Sequence, residues 1–283
     1  MYRAHAERLK DALDGAWDGD WYRRAYFDDG SPLGSRQNSE CRIDSIAQSW
    51  SVISGLGRPE RARQAMKSVE QWLIDRDARL ILLLTPPFDK AEPHPGYIRG
   101  YVPGVRENGG QYTHAALWVV LAHAMLGHGN AAYDLLSFIN PIVRASNPAG
   151  VKQYRVEPYV VAADIYSGAG HVGRGGWTWY TGAAGWMYRV TLEHVLGIKR
   201  EGEWLRIEPC VPAGWPSYHV KLRIDGAEYD IEVQNGGDGE DVRSVALDGQ
   251  SVDGGRIRLD PHSGPHLVRV VLGQTAPTAA QRQ

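Results

Sequence analysis

The chain is poor in cysteine, in phenylalanine and methionine, in net charge and in long apolar runs. Among its 283 residues only Cys41 and Cys210 are cysteines, far apart and outside any metal-ligand spacing. They read as reduced structural thiols, which excludes a disulfide framework or a zinc site as the organising principle. A formal net charge of −2 argues against a polyanion-binding face, and so against nucleic acid as a partner. Apolar runs such as Leu80 to Leu84 are far too short to span a bilayer. The polar start, Met1-Tyr2-Arg3-Ala4-His5-Ala6-Glu7-Arg8, has no apolar core of signal-peptide length, so a cytoplasmic location is expected. No metal cluster, nucleophile elbow or Gly-Lys phosphate loop is present, and no metal is expected.

What the chain does have is ten Trp and fourteen Tyr against three Phe. Rings with a flat apolar face and a polar handle suit the faces and hydroxyl edges of sugars, and they serve equally in a packed core. A 43% hydrophobic and 23% charged composition is ordinary for a globular protein and leaves both readings open. The length permits a large core and more than one domain.

To about Gly197 the pattern is helical, broken by long glycine-proline loops. Helices are predicted from Leu9, over Ile43 to Ser54 (closed by Gly55), from Pro59, over Ala115 to Leu126, over Ala131 to Ile139, over Tyr159 to Tyr166, and over Thr181 to Leu196. Ala62, Ala65, Met66, Val69 and Trp72-Leu73 mark the apolar face of the third. Several connecting loops exceed ten residues, a length that inside a compact domain usually signals function. After Leu196 the period drops to two. Strands are predicted at Trp204–Val211, Tyr218–Ile224, Glu228–Val233, Arg256–Leu259 and His266–Leu272, with turns at Asn235-Gly236-Gly237, Asp248-Gly249 and Asp253-Gly254-Gly255. The domain reading is 1–198 helical, 199–273 an antiparallel β-sandwich and 274–283 a disordered tail. Because the start falls on amphipathic helix with no leader, the chain reads as the C-terminal part of something longer.

Two blocks stand out. Val105-Arg106-Glu107-Asn108-Gly109-Gly110-Gln111-Tyr112-Thr113-His114 and Trp177-Thr178-Trp179-Tyr180-Thr181-Gly182-Ala183-Ala184-Gly185-Trp186 each end a turn-forming loop and run into an apolar helix. Unpaired N–H groups at two helix starts favour an anion, and among so many aromatic rings phosphate beside a sugar is the obvious choice. From the residues alone, His114 reads equally as a phosphate ligand and as a hydrogen-bonded cap of its own helix. Thr181 has the same two readings. No residue reads as a convincing general acid.

These blocks, with Arg42-Ile43-Asp44-Ser45-Ile46-Ala47-Gln48-Ser49-Trp50, Leu84-Thr85-Pro86-Pro87-Phe88 and Glu157-Pro158-Tyr159-Val160, resemble glycoside hydrolase family 94, the inverting disaccharide and oligosaccharide phosphorylases. Within it the chain most resembles the C-terminal phosphorylase region of the cyclic β-1,2-glucan synthases and the β-1,2-oligoglucan phosphorylases, over roughly residues 15 to 273. The resemblance implies the C-terminal part of an (α/α)6 barrel followed by a small antiparallel β-sandwich. It implies phosphate bound by His114, Thr181 and Gly182, and glucan plus phosphate giving a shortened glucan plus α-glucose 1-phosphate, with no cofactor beyond phosphate as co-substrate. The family's Asp-Trp-Asn-Asp general-acid motif is missing here; Asp20-Trp21 is the nearest string and falls after that motif's place. The acid is therefore expected upstream of this chain, and no catalytic residue is assigned within it.

Inverting chemistry of this kind needs an acid at the leaving oxygen and phosphate lined up on the opposite face of the sugar. Candidate substrate contacts are Arg106, Glu107, Gln111, Tyr112, Asp44, Gln48, Tyr97, Glu157 and Trp179. Tyr101, His171 and Arg174 merit testing alongside them. Asp44 and Gln48 sit one helical turn apart and form either a buried polar network or a sugar contact. Glu157, at an expected helix start, is read as bracing the site. The expected partners are a β-glucan or gluco-oligosaccharide and phosphate. The missing half on another chain and a homodimer stay open, since a half-barrel exposes apolar surface. So do an inactive or sugar-binding fragment, a hydrolase on the same barrel, and a full-length parent anchored at the inner membrane.

Overall fold

Capping residues and helix-breaking glycines set most element boundaries in the computed structural model, which describes residues 2–236, 241–261 and 264–273. The expected tail at 274–283, and Gly237 of the expected Asn235-Gly236-Gly237 turn, lie outside the described residues. The structure is mixed α/β. The chain divides into two compact units, Met1–Leu126 with Asp134–Tyr188, and Gly127–Tyr133 with Arg189–Gln283.

The first unit carries α1 (Tyr2–Gly15), α2 (Ser45–Ile53), α3 (Pro59–Trp72), α4 (Thr113–Met125), most of α5 (Gly129–Ile139), α6 (Pro141–Arg144), α7 (Pro148–Tyr154) and nearly all of α8 (Thr181–Arg189). Short strands lie between them: β1 (Ala25–Tyr26), β2 (Pro32–Leu33), β3 (Ile43–Asp44), β4 (Ile74–Asp75), β5 (Leu80–Ile81), β6 (Leu84–Thr85), β7 (Gln111–Tyr112) and β8 (Asp164–Ile165). They pair antiparallel as β1–β2, β3–β6, β4–β5 and β7–β8. Asp44 caps α2 by accepting the Ile46 and Ala47 N–H groups, and Gly55 closes it in left-handed backbone at φ +67°. Pro59 opens α3, which buries Ala62, Ala65, Met66 and Val69 as its periodicity predicts. The α4 helix is buried almost all round and packs beside α2, where Trp50 meets Trp118 edge-on at 5.5 Å.

The sequence reading needs three corrections here. Residues 159–166 form no helix: Pro158 sits in a turn, and Asp164–Ile165 is drawn into a ribbon with Gln111–Tyr112, while the preceding helix is α7. Glu157 therefore stands at a turn and not at a helix start. The α2 helix begins at Ser45 and not Ile43, because β3 pairs with β6 up to its cap. Asn140-Pro141 stops α5 at Ile139 as expected, and Asn140 Oδ1 then accepts the Ile142 N–H and starts α6. The last helix changes to a π-helical turn at Val190–Val195 before Gly197.

The second unit holds β9 (Ile198–Glu201), β10 (Trp204–Ile207), β11 (Ser217–Ile224), β12 (Ala227–Asn235), β13 (Val242–Leu247), β14 (Gln250–Ser251), β15 (Arg256–Arg258) and β16 (His266–Leu272). Two sheets result, ordered β15-β10-β9 and β11-β12-β16-β13-β14. Alternation places Tyr229, Ile231 and Val233 of β12 and Val268 and Val270 of β16 inside. The expected all-antiparallel pattern fails at one place: β12 and β16 run parallel, from Tyr229 opposite His266 to Asn235 opposite Leu272. Period-two alternation fixes the buried face of a strand but not the direction of its neighbour. No helix among the described residues is long and apolar enough to cross a membrane.

Candidate phosphate and sugar site

The loop that leads into β7 is built for close approach. Gly104, Arg106 and Gly109 take left-handed backbone, with φ +86°, +51° and +85°. A Cβ on Gly104 would lie 2.2 Å from Gly168 N, so only glycine fits there. The buried Asn108 pins the loop: its Oδ1 accepts the Phe88 N–H (2.7 Å), and its Nδ2 donates to Phe88 O and Tyr101 O (2.8 Å each). Register then sets Tyr112 opposite Asp164. Thr113 donates from N to Ala163 O (2.9 Å) and from Oγ1 to Ala162 O (2.5 Å), which fixes where α4 begins. The N-cap residue Tyr112 supplies no side-chain cap, so the positive end of α4 has no acceptor of that kind.

His114 lies in the first turn of α4 and meets the second block directly. A Cβ on Gly182 would fall 2.9 Å from His114 Nε2 and 3.4 Å from Cε1. The glycine is thus what lets the start of α8 press against the imidazole. Tyr112 stacks on His114 at 5.8 Å and 23°, and Trp118 meets its edge at 6.4 Å. Burial holds the His114 pKa below the usual histidine value, favouring the neutral ring, which donates from one nitrogen and accepts at the other. Its Nδ1 is buried without a hydrogen-bond partner, as is Trp118 Nε1.

Arg106 reaches the same place from the loop. Its guanidinium carbon lies 5.4 Å from the Tyr101 ring centre and 5.9 Å from that of Tyr180, the residue before α8. Its Nε is 3.6 Å from Glu107 Oε2, and both atoms are buried without a hydrogen bond. Burial raises the Tyr112 pKa, with Glu107 pushing the same way and Arg106 opposing. Gln111 is fully buried; its Oε1 accepts the Ile81 N–H (2.8 Å), and its Nε2 has no partner. Buried polar atoms are normally satisfied, so this concentration of orphans around His114 marks a place where a polar ligand would complete the bonding.

The other sequence candidates fall elsewhere. Gln48 has no exposed surface: its Oε1 accepts the Tyr22 N–H (2.8 Å), and its Nε2 donates to Tyr22 O and Asp44 O (2.9 and 2.8 Å). Asp44 is spent on capping α2 and lies 3.5 Å from Arg24 Nε; burial raises its pKa, with Arg24 opposing. Both residues are buried. Tyr97 is exposed and edge-on to Tyr101 at 6.3 Å, and Trp179 is exposed in left-handed backbone at φ +64°. Glu157 is half-buried in its turn. Thr181 is the exposed first residue of α8.

Sequence reasoning missed Asp164. It is fully buried, its Oδ2 accepts the Arg106 N–H at 2.9 Å, and so it holds the left-handed residue that carries the guanidinium. Burial raises its pKa, partly offset by Arg106. Gly176 makes room for it, since a Cβ there would lie 2.1 Å from Asp164 Oδ1. A lone carboxylate in the apolar stretch Val160 to Ile165 was the available signal. Among the described residues no group of His, Cys, Asp or Glu is arranged to hold a metal ion.

The sequence signature of the Glycosyl hydrolase 94 superfamily, catalytic domain, matches residues 1–197, and the chain belongs to that family. It is 52% identical over 247 residues to the cyclic beta-(1,2)-glucan synthase NdvB of Rhizobium meliloti (strain 1021), covering 87% of this chain and 9% of that protein. It is 34% identical to the solabiose phosphorylase of Paenibacillus borealis, over 94% of this chain and 34% of that one. To the N,N'-diacetylchitobiose phosphorylase of Vibrio furnissii it is 31% identical, over 96% and 34%. The chain thus spans about a third or less of the length of these relatives.

Proposed function

We propose that this chain is the C-terminal, phosphate-binding portion of an inverting β-glucan phosphorylase acting on β-1,2-linked glucan, with residues 1–198 forming part of an (α/α)6 barrel and 199–273 a β-sandwich. The observation that carries the reading is the contact between Gly182 and His114, which brings a neutral imidazole and the start of α8 to one point. In this reading His114 Nε2–H, the Thr181 hydroxyl and the Gly182 N–H hold inorganic phosphate, with no other cofactor. Arg106, Glu107, Gln111 and Tyr112 border the sugar, and Tyr101 and Tyr180 flank the guanidinium.

The products would be a shortened glucan and α-glucose 1-phosphate. The Asp-Trp-Asn-Asp string that carries the general acid in the family is not in this sequence, so the proposal assigns the acid to a segment of the whole enzyme outside it. Names of the relatives support it: one is a β-(1,2)-glucan synthase and others are phosphorylases. The test is incubation with β-1,2-gluco-oligosaccharides and phosphate, with and without the segment that precedes the equivalent region in a relative. Product that needs that segment and disappears in His114→Ala supports the reading. Product from the combined protein that survives His114→Ala refutes the assigned role of this residue. Reducing sugar released without phosphate would favour a hydrolase on the same scaffold.

A further inference from the structure

Two arginines of the first unit form no ion pair among the described residues. Arg79 ends the turn between β4 and β5 in left-handed backbone at φ +55°, and Arg144 is the last residue of α6. Arg144 donates from Nε to Phe138 O at 2.7 Å and from Nη2 to Arg79 O. Arg79 Nη2 donates to Ser137 Oγ at 2.9 Å, and its guanidinium carbon lies 5.2 Å from the Phe138 ring centre. Every one of these acceptors is neutral. Among the described residues neither arginine forms an ion pair, and Asp134, one turn before Ser137 on α5, is taken by Arg76 at 2.7 Å.

Both residues line one cavity of about 260 Å³, together with Ser146, Gln153 and Tyr154. Asp77, exposed at the rim, is the only carboxylate among the described lining residues and pairs with neither arginine. Burial pulls the Arg144 pKa down to about 10, with repulsion from Arg79 adding to the fall and Tyr154 opposing it. Arg79 is exposed and Arg144 half-buried, and two like charges this close repel unless a counter-charge joins them; guanidinium forks match oxyanions best.

We propose that this cavity is a second anion site, in which Arg79 and Arg144 together bind a phosphate group, either free phosphate or the phosphate of a small monoester. The cavity is roomier than phosphate alone requires, leaving space for a small organic group. None of its residues belongs to the His114 site, so the proposal is independent of the phosphorylase reading.

The test is equilibrium dialysis of the full chain against radiolabelled inorganic phosphate at fixed ionic strength, with circular dichroism as the check on folding. The wild type, His114→Gln, Arg79→Gln and the double variant are compared. The expected result is one phosphate retained by His114→Gln and weakened at least tenfold when Arg79→Gln is added. Arg144→Lys, which keeps the charge but loses the fork, should weaken it as well and serves if Arg79→Gln does not fold. A His114→Gln chain that binds no phosphate overturns the proposal. So does a double variant that binds within twofold of His114→Gln. A single phosphate lost only in His114→Gln sinks this site and leaves the His114 reading standing; a single phosphate lost only in Arg79→Gln does the reverse. Titrating the His114→Gln chain with α-glucose 1-phosphate separates the two sources: tighter binding than inorganic phosphate assigns a monoester, weaker binding assigns the free ion.

Discussion

Replacing Gly182 by alanine sets a local gain against a functional loss. The new Cβ would stand 2.9 Å from His114 Nε2 and 3.4 Å from Cε1. Ordinary non-bonded contacts lie at about 3.5–4.0 Å, so the ring or the start of α8 must move by roughly half an ångström or more. Gly182 has no positive φ, and it is the exposed second residue of α8. Alanine is favoured over glycine inside a helix by about 1 kcal/mol, so stability should hold or rise slightly. Phosphate binding should fall instead, because the methyl occupies the space in which Nε2 would meet the anion. A hydrogen bond to a charged group contributes about 1.5–3 kcal/mol, which corresponds to a loss of roughly tenfold to over a hundredfold. The assay is the His114 imidazole carbon-proton shift followed through a phosphate titration, with thermal melts beside it. A phosphate affinity within twofold of wild type would refute the argument. A fall in melting temperature that tracks the loss of binding would show a packing failure and not a blocked site.

Three further outcomes follow from the same geometry. Because folding lowers the His114 pKa, the stability tied to this group is complete above about pH 6.5 and is lost as pH falls through the folded value, so His114→Gln should flatten the acid limb of a urea-denaturation series; His194, whose pKa burial also lowers, should keep part of that slope. Asp164→Ala strands the buried Arg106 N–H and should cost about 1–3 kcal/mol in denaturant melts. Asp164→Asn keeps an acceptor without a buried charge and should be near neutral at pH 7, so equal losses in the two variants would contradict the assigned role. Gly104→Ala combines a φ of +86° with a Cβ placed 2.2 Å from Gly168 N, and strain plus overpacking should together remove roughly 2–5 kcal/mol, a drop visible in thermal melts.

The local rules went far in this chain. Caps and breakers act within a few residues, so Gly55, Pro59 and Gly197 announced helix boundaries close to where they fall. The apolar face of α3 and the buried faces of β12 and β16 also followed from periodicity, since burial on one side leaves a period in the sequence. The first glycine-rich block was visible as a candidate ligand loop for the same reason: its backbone demands glycine locally at Gly109. What neighbours across the fold decide had no such trace. Asp164 entered a strand because Gln111–Tyr112 lay alongside it, against a helical-looking sequence. Gln48 was consumed by Tyr22, 26 residues away. β16 ran parallel to β12, although alternation reads the same in either direction. The pressing of Gly182 on His114 likewise joins loops nearly seventy residues apart in sequence. Residue type and spacing therefore determined most of the elements and named the loops, and only tertiary packing decided which polar groups were consumed inside the protein and which, such as His114 Nδ1 and Gln111 Nε2, were left without a partner.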